Sequence, residues 1–385
     1  MKALWVVALT LLSCLSHAQA PQPPEIAARA YLLMDVSTQQ ILADKDADAL
    51  TEPASLTKLM TAYLVFDALR SKKLDLHQTL AVSERAAKTP GPRMYVAPSM
   101  QVFVEDLIKG MLVQSGNDAA MVLAEGVGGT VEHFVRMMND QAKAWGMVST
   151  GYKNPTGLTE VGHVSTAREI GVLSARLLAD FPDHAAYFAI KRYHYPGMPA
   201  ANDSNRNVLL FRDPSVDGLI TGYTDAAGYG MVATAKHDVA GRAGTVGARR
   251  LLAVVLGAAN DNVRASETQK LLNWGFAAFE TVQLFDAGQA VVTSRVWQGS
   301  SSRVGMGHPA GVVVSVPLGV STRLTTQVIR NEPLMAPITK GQVIGTLRVM
   351  VGEQTVAQVP LLALEAVEQA GVWGRAWDAL RLWIQ

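Results

Sequence analysis

Apolar residues recur along this chain with three different spacings. A continuous apolar run, Leu4 to Leu15, opens it. Ala30–Asp35 and Gln40–Ala43 then form two short β-rich runs about a turn, which predicts a hairpin. From Leu56 to Leu69, residues Leu59, Met60, Ala62, Tyr63, Leu64, Val65, Phe66 and Ala68 leave almost no polar face. Such a helix is buried inside a domain. Helical spacing returns over Val104–Val113, about 118–125 and about 131–145, and Ser165–Glu169 reads as the capped start of another helix. From about 216 the period becomes strand-like, in Val216–Thr221, Tyr229–Ala235 and Leu251–Leu256, and a helix over about 265–279 follows. A hairpin, a block of helices and three later strands predict an α+β fold, an antiparallel sheet covered by helices.

Beyond about 282 the chain becomes a series of short β-rich runs with Gly and Pro punctuation, including 312–316, 325–329, 343–351 and 355–359. These predict a small β-rich domain over 282–364. The last stretch, 365–385, differs again. Trp373, Trp377, Leu380 and Ile384 share a helical face, and Arg375, Asp378 and Arg381 lie largely off it. An amphipathic helix lying in a membrane interface shelters such tryptophans. Docking on the chain's own β domain is the alternative.

Composition narrows the function. Hydrophobic residues make up 49% of 385, ample for one large core or two domains. Lys plus Arg (34) nearly balance Asp plus Glu (33), so no global field recruits nucleic acid. Met1-Lys2, the apolar run and Ala18-Gln19-Ala20 have the form of a secretory signal peptide, residues 1–20, so the mature chain begins near Pro21 outside the cytoplasm. Leu11-Leu12-Ser13-Cys14 loosely fits a lipoprotein cleavage box, a rival to the better Ala-Gln-Ala site. Cys14 is the sole cysteine, so the mature chain has no disulfide and no cysteine nucleophile. The eight histidines form no His-Glu-x-x-His pattern and no Gly-x-Gly-x-x-Gly loop occurs, so neither metal nor other cofactor is expected. His163, His237 and His308 read as solvated or structural.

Three short stretches carry candidate chemistry. In Glu52-Pro53-Ala54-Ser55-Leu56-Thr57-Lys58 a serine and a lysine lie three residues apart at a helix start, neighbours on one face. A serine is a poor nucleophile until a base takes its proton, and a lysine is that base only where its surroundings leave it neutral. Ser115-Gly116-Asn117 offers a hydroxyl and an amide in a loop between helices. Ile220-Thr221-Gly222-Tyr223-Thr224 offers a hydroxyl and backbone N–H groups at a strand end. Each alone is common turn chemistry.

In this order the three resemble the SxxK, SxN and KTG motifs of serine penicillin-recognising enzymes. With Asn205-Arg206-Asn207, Asp213–Leu219 and Asp225–Tyr229, the chain resembles the low-molecular-mass D-alanyl-D-alanine carboxypeptidases over nearly all its mature length. The resemblance implies a catalytic domain over 21–281, with peptidoglycan stem peptides as substrate and β-lactams as covalent inhibitors. It implies a periplasmic enzyme held peripherally on the outer face of the inner membrane. It makes Ser55 the nucleophile, Lys58 its base, Ser115 and Asn117 the rest of a proton relay, and the N–H groups of Ser55 and Tyr223 an oxyanion hole. Thr221 and Gly222 belong to the substrate-binding strand. Arg206 and Arg264 match arginines around the substrate carboxylate, Arg264 being the expected direct ligand. One position departs: Ile220 stands where the family has lysine, and is expected to add apolar bulk to the site and weaken turnover. Thr156 stands where some relatives carry histidine. A non-catalytic penicillin- or peptidoglycan-binding scaffold of the same fold is the alternative reading; a β-lactamase and an endopeptidase are further ones.

Overall fold

The computed structural model describes residues 21–238, 248–330 and 332–372, together with Trp377, Asp378 and Arg381. The expected signal peptide, its Cys14 rival and most of the tryptophan-bearing tail lie outside the described residues. The chain divides into two units, one of Pro23–Gln283 with Val313–Ser315, the other of the remaining residues.

In the larger unit, β1 (Ala30–Asp35) and β2 (Gln40–Lys45) form the expected hairpin, and a 3-10 turn at Ala54–Thr57 leads into α1 (Lys58–Arg70). A small layer follows: β3 (Thr79–Ala81), α2 (Glu84–Ala87) and β4 (Gln101–Phe103). Then come α3 (Val104–Val113), α4 (Asn117–Gly128), α5 (Val131–Ala144), α6 (Ala167–Asp180) and the short α7 (Leu209–Arg212). Strands β5 (Val216–Thr224), β6 (Gly228–Asp238) and β7 (Ala248–Ala258) precede α8 (Asp261–Ala278). The sheet is antiparallel with order β2-β1-β7-β6-β5, so β5 is an edge strand.

Both faces of this sheet are buried. Along β7, Leu252, Val254 and Leu256 point into a core shared with α1 and α3–α6. Leu251, Ala253 and Val255 point into a second core, with Ala265, Leu271 and Leu272 of α8. Successive strand residues face opposite ways, which is why 251–256 reads as one apolar run. Helix α1 is packed all round; Tyr63 and Phe66 meet Phe181 edge-on, with ring centroids 4.9 and 5.8 Å apart.

A buried ion pair ties the ends of this unit together. Asp35, fully buried, accepts from Arg249 Nε at 2.7 Å, Thr281 Oγ1 at 3.1 Å and Ser315 Oγ at 2.7 Å. Arg249 also donates to the carbonyls of Gly275 and Phe279. A buried pair depends on such partners for its remaining lone pairs and protons, and here all but Arg249 Nη2 on the guanidinium have one among the described residues.

In the C-terminal part, β8 (Phe279–Phe285) pairs with β11 (Val312–Pro317). A six-stranded sheet contains β9 (Ala290–Trp297), β10 (Arg303–Gly307), β12 (Leu324–Ile329), β13 (Leu334–Met335), β14 (Val343–Val351) and β15 (Gln354–Ala363). Val304, Met306, Leu347, Val349 and Leu361 are buried in it. No helix among the described residues is long and apolar enough to cross a membrane.

Ser315→Ala deletes a hydrogen bond to a buried carboxylate and is expected to cost about 1.5–3 kcal/mol, read as a lower urea midpoint at unchanged m-value.

Candidate active site

Ser55 sits on the 3-10 turn, not on an α-helix as its sequence suggested; α1 begins only at Lys58. In a 3-10 turn, residues i and i+3 eclipse, and Lys58 Nζ comes to 2.9 Å from Ser55 Oγ. The turn is entered through Ala54, whose φ of +49° is unusual for a side-chain-bearing residue. Backbone packing from two sides holds it there. A Cβ on Gly157 would collide with the Ala54 carbonyl, and one on Gly222 would lie 3.1 Å from Ser55 N and 3.2 Å from Pro53 O. Only glycine lets both neighbours come so close.

Lys58 is fully buried, and its amine reaches three oxygens: Ser55 Oγ, Asn117 Oδ1 at 2.7 Å and the Thr156 carbonyl at 2.8 Å. No carboxylate touches it. Burial lowers its pKa to about 7, against the opposing charge of Asp118. In the neutral form an amine has two N–H donors and one lone pair. Asn117 and Thr156 can accept the two donors, which leaves the lone pair for the Ser55 hydroxyl.

Asn117 opens α4, and its orientation is set from behind: Nδ2 donates to Pro90 O at 2.7 Å, so Oδ1 faces the lysine. Its backbone N–H donates to Pro92 O at 2.7 Å, and Asp118 accepts from Met94 N and Tyr95 N at 2.9 and 2.8 Å. The loop at Pro90–Tyr95 is thus strapped to the start of α4. Ser115, at φ +61°, is buried, lines the cavity and has no hydrogen-bond partner for Oγ among the described residues. It is not hydrogen-bonded to Lys58.

Ser55, Ser115, Asn117 and Thr156 line a cavity of about 610 Å3, with Lys58 just behind them. Thr221, Gly222 and Tyr223 of β5 form one wall, with Gly157 and Leu158 also lining it. Tyr223 is half-exposed, its OH bonded to Asp225 and its ring 4.3 Å from that of Tyr229. Ile220 is placed otherwise than expected. It is 3% exposed, packs in the core around α1 and does not line the cavity, so it adds no apolar bulk there. An apolar side chain at a strand position next to that core is drawn into it.

The two arginines differ sharply. Arg264 is buried; its Nη1 donates to Gly222 O and Gly230 O at 3.2 and 3.3 Å, and its Nη2 pairs with Asp261. Burial lowers its pKa despite that carboxylate. It braces β5 against β6, and its direct role toward a ligand, expected from sequence, competes with these bonds. Arg206 is exposed, donates to Asn202 Oδ1 at 2.8 Å and makes no salt bridge among the described residues.

Sequence reasoning gave no role to the Asn154–Leu158 loop. There Asn154 Oδ1 accepts from the N–H groups of Thr156, Gly157 and Leu158, which turns the Thr156 carbonyl onto Lys58. Asn-Pro-Thr-Gly is a legible turn signature, but not a legible address. His163 is structural: Nδ1 accepts from Lys153 N, so Nε2 carries the proton and donates to Thr57 Oγ1 at 2.8 Å. Its burial lowers its pKa to about 4. No His/Cys/Asp/Glu group that could hold a metal occurs among the described residues. A buried amine with a pKa near 7 against a serine hydroxyl, beside an open cavity, is the arrangement of an activated nucleophile for acyl transfer.

Comparison with known proteins bears on this chemistry. The family described as D-alanyl-D-alanine carboxypeptidase matches residues 17–260, and that described as penicillin-binding protein 5, C-terminal domain, matches residues 279–369. The D-alanyl-D-alanine carboxypeptidase DacC of Escherichia coli is 39% identical over 368 residues, 94% of this chain and 89% of that protein. The DacA carboxypeptidase of the same organism is 34% identical over 370 residues, 94% and 89% of the two chains. Penicillin-binding protein 5 of Haemophilus influenzae superposes with a TM-score of 0.81 at 32% identity, covering 91% of this chain and all (100%) of that one.

Because Lys58 must be neutral to accept the Ser55 proton, acylation of Ser55 by a fluorescent penicillin should rise with pH through an apparent pKa near 7 and level off above it. Stopped-time labelling at pH 5 to 9 checks this; a flat profile would remove Lys58 from the role of base.

Proposed function

The chain belongs to the D-alanyl-D-alanine carboxypeptidase family, and on that premise we propose that Ser55 cleaves the terminal D-alanine from peptidoglycan stem peptides. The distance of 2.9 Å between Lys58 Nζ and Ser55 Oγ, on an amine with a pKa near 7, carries this reading. Lys58 takes the hydroxyl proton as Oγ attacks the carbonyl between the two D-alanines. The N–H groups of Ser55 and Tyr223 receive the developing oxyanion. The amide nitrogen leaves with a proton relayed from Lys58 through the Ser115 hydroxyl, which has no competing partner in the described cavity. Asn117 holds Lys58 from one side and the substrate amide from the other. Water then attacks the acyl-enzyme with Lys58 again as base, returning Ser55 and a stem one residue shorter. A β-lactam enters the same path and is trapped on Ser55.

Arg206 and Arg264 both line the cavity as candidate partners of the substrate carboxylate; the two Nη atoms of Arg264 serve Asp261 and two strand carbonyls, which favours the less engaged Arg206. Thr221 supplies a hydroxyl beside it. With Ile220 in the core, the site lacks a cation on β5. One missing charge-assisted hydrogen bond is worth about 1.5–3 kcal/mol, or about tenfold to over a hundredfold in rate.

The proposed organisation is a signal peptide over 1–20, a catalytic domain over 21–281, a β-rich domain over 282–364 and an amphipathic anchor over 365–385. It places the mature enzyme in the periplasm, attached peripherally to the inner membrane. The exposure of Trp377, 57%, supports an apolar surface available to lipid.

Two measurements test the proposal. Native chain and Ile220→Lys are assayed for D-alanine release from an acyl-D-Ala-D-Ala peptide and for Ser55 labelling by penicillin. Both chains should label; the longer lysine stem can stay in the core and carry its ammonium out beside Thr221, which lines the cavity, so peptide turnover should rise about tenfold or more in Ile220→Lys. Release by the variant alone would make the native chain a penicillin-binding scaffold. Separately, a chain ending at Leu364 should leave the membrane fraction of fractionated cells; retention there would overturn the anchor.

A further inference from the structure

We propose that Glu52 is a positioning residue that keeps the nucleophile turn closed between its two walls. Its half-buried carboxylate, three residues before Ser55, reaches both of them through one oxygen. Oε2 accepts from Thr159 Oγ1 at 2.7 Å, on the loop that carries Thr156 and Gly157. The same atom accepts from Thr224 Oγ1 at 3.0 Å, the last residue of β5 and the neighbour of Tyr223. Glu52 makes no salt bridge among the described residues, so these hydroxyl bonds, not a counter-charge, occupy the carboxylate.

The mechanical need for such a clamp is visible in the packing. Gly157 and Gly222 both press on the backbone around Ala54 and Ser55, with no room for a Cβ on Gly157 and a tight fit, 3.1 Å from Ser55 N, for one on Gly222. The turn between them carries the unusual φ of Ala54. Backbone contact alone supplies little to hold two walls against a strained turn, and β5 is an edge strand with no strand paired on its outer side among the described residues. Glu52 bridges the walls where the sheet does not. Thr224 is pinned further, because its Oγ1 also accepts from Ala227 N at 3.0 Å. Through Thr224 the carboxylate sets where Tyr223 N–H lies relative to Ser55 N–H. Through Thr159 it sets the loop whose Thr156 carbonyl holds Lys58. One side chain therefore adjusts the proposed oxyanion hole and the base together, while touching neither the substrate nor the reacting atoms.

This inference rests on the acyl-transfer reading above, and the experiment separates the two. Full-length native chain, Glu52→Ala, Glu52→Gln and the double variant Thr159→Val with Thr224→Val are compared. The second-order rate of Ser55 labelling by fluorescent penicillin, D-alanine release from an acyl-D-Ala-D-Ala peptide and the melting temperature are measured for each. A displacement of about 1 Å costs on the order of 100-fold in rate. Glu52→Ala should therefore label and turn over about 30- to 100-fold more slowly, with the loss in kcat, not in KM. Glu52→Gln keeps an acceptor oxygen for both hydroxyls and should recover to within about fivefold of native. The double valine variant preserves side-chain shape and should reproduce the alanine loss, which decides the matter if Glu52→Ala does not fold. Native rates in folded Glu52→Ala or in the valine pair would overturn the clamp, as would a Glu52→Gln no better than alanine. A native chain that neither labels nor turns over would instead sink the acyl-transfer reading itself.

Discussion

The burial of one amine governs this structure. Lys58 lies where water does not reach, and a charged ammonium is expensive there unless its protons are met. Its three oxygen partners come from separate parts of the chain: the 3-10 turn, the start of α4 and the Asn154–Leu158 loop. Each must be placed to within a few tenths of an ångström, or the amine loses a partner in a dry site. The apolar circumference of α1 creates that dryness, because Leu59, Met60, Val65 and Phe66 are all buried around the same helix. The cost is turned to use. An amine that is costly to charge is available as a base near neutral pH.

A second constraint acts on the backbone. The walls beside Ser55 approach through glycines, so the turn is shaped by main chain and not by rotamers that could relax. The cations near the cavity are sorted by the same economy of space. Arg264, enclosed with Asp261, holds two strands together, and Arg206 stays at the open rim with only an amide partner. Two arginines that look alike in the sequence thus answer to different parts of the fold.

Much of this was legible beforehand. The hairpin, α1, α3 to α6 and the three later strands of the large sheet follow from apolar period, because packing on both faces of that sheet demands it. The grouping of Ser55, Lys58, Ser115 and Asn117 followed from motif order, and the structure brings Ser55, Lys58 and Asn117 into one hydrogen-bonded set. What escaped was set by tertiary contact. The 3-10 form of the Ser55 turn depends on Gly157 and Gly222, which lie about 100 and 170 residues away in sequence. Strand β10, Arg303–Gly307, contains two glycines and little β propensity, and it exists because β9 and β15 pair with it. Ile220 misled for the same reason. Its motif position marked it for the cavity, and neighbouring core atoms took it instead.

The ion pair of Asp35 and Arg249 imposes an order in time. The chain emerges N-terminus first, Asp35 early and Arg249 much later, yet the carboxylate's last hydroxyl partner, Ser315, belongs to a segment beyond an intervening stretch of other strands. Until then a buried charge is incompletely solvated by protein, and the unit has reason to stay open. Completion of this fold is therefore a late event, tied to the arrival of the chain's final fifth. A chain cut at Gln283 would carry every proposed catalytic group and still lack the last hydroxyl that Asp35 accepts from.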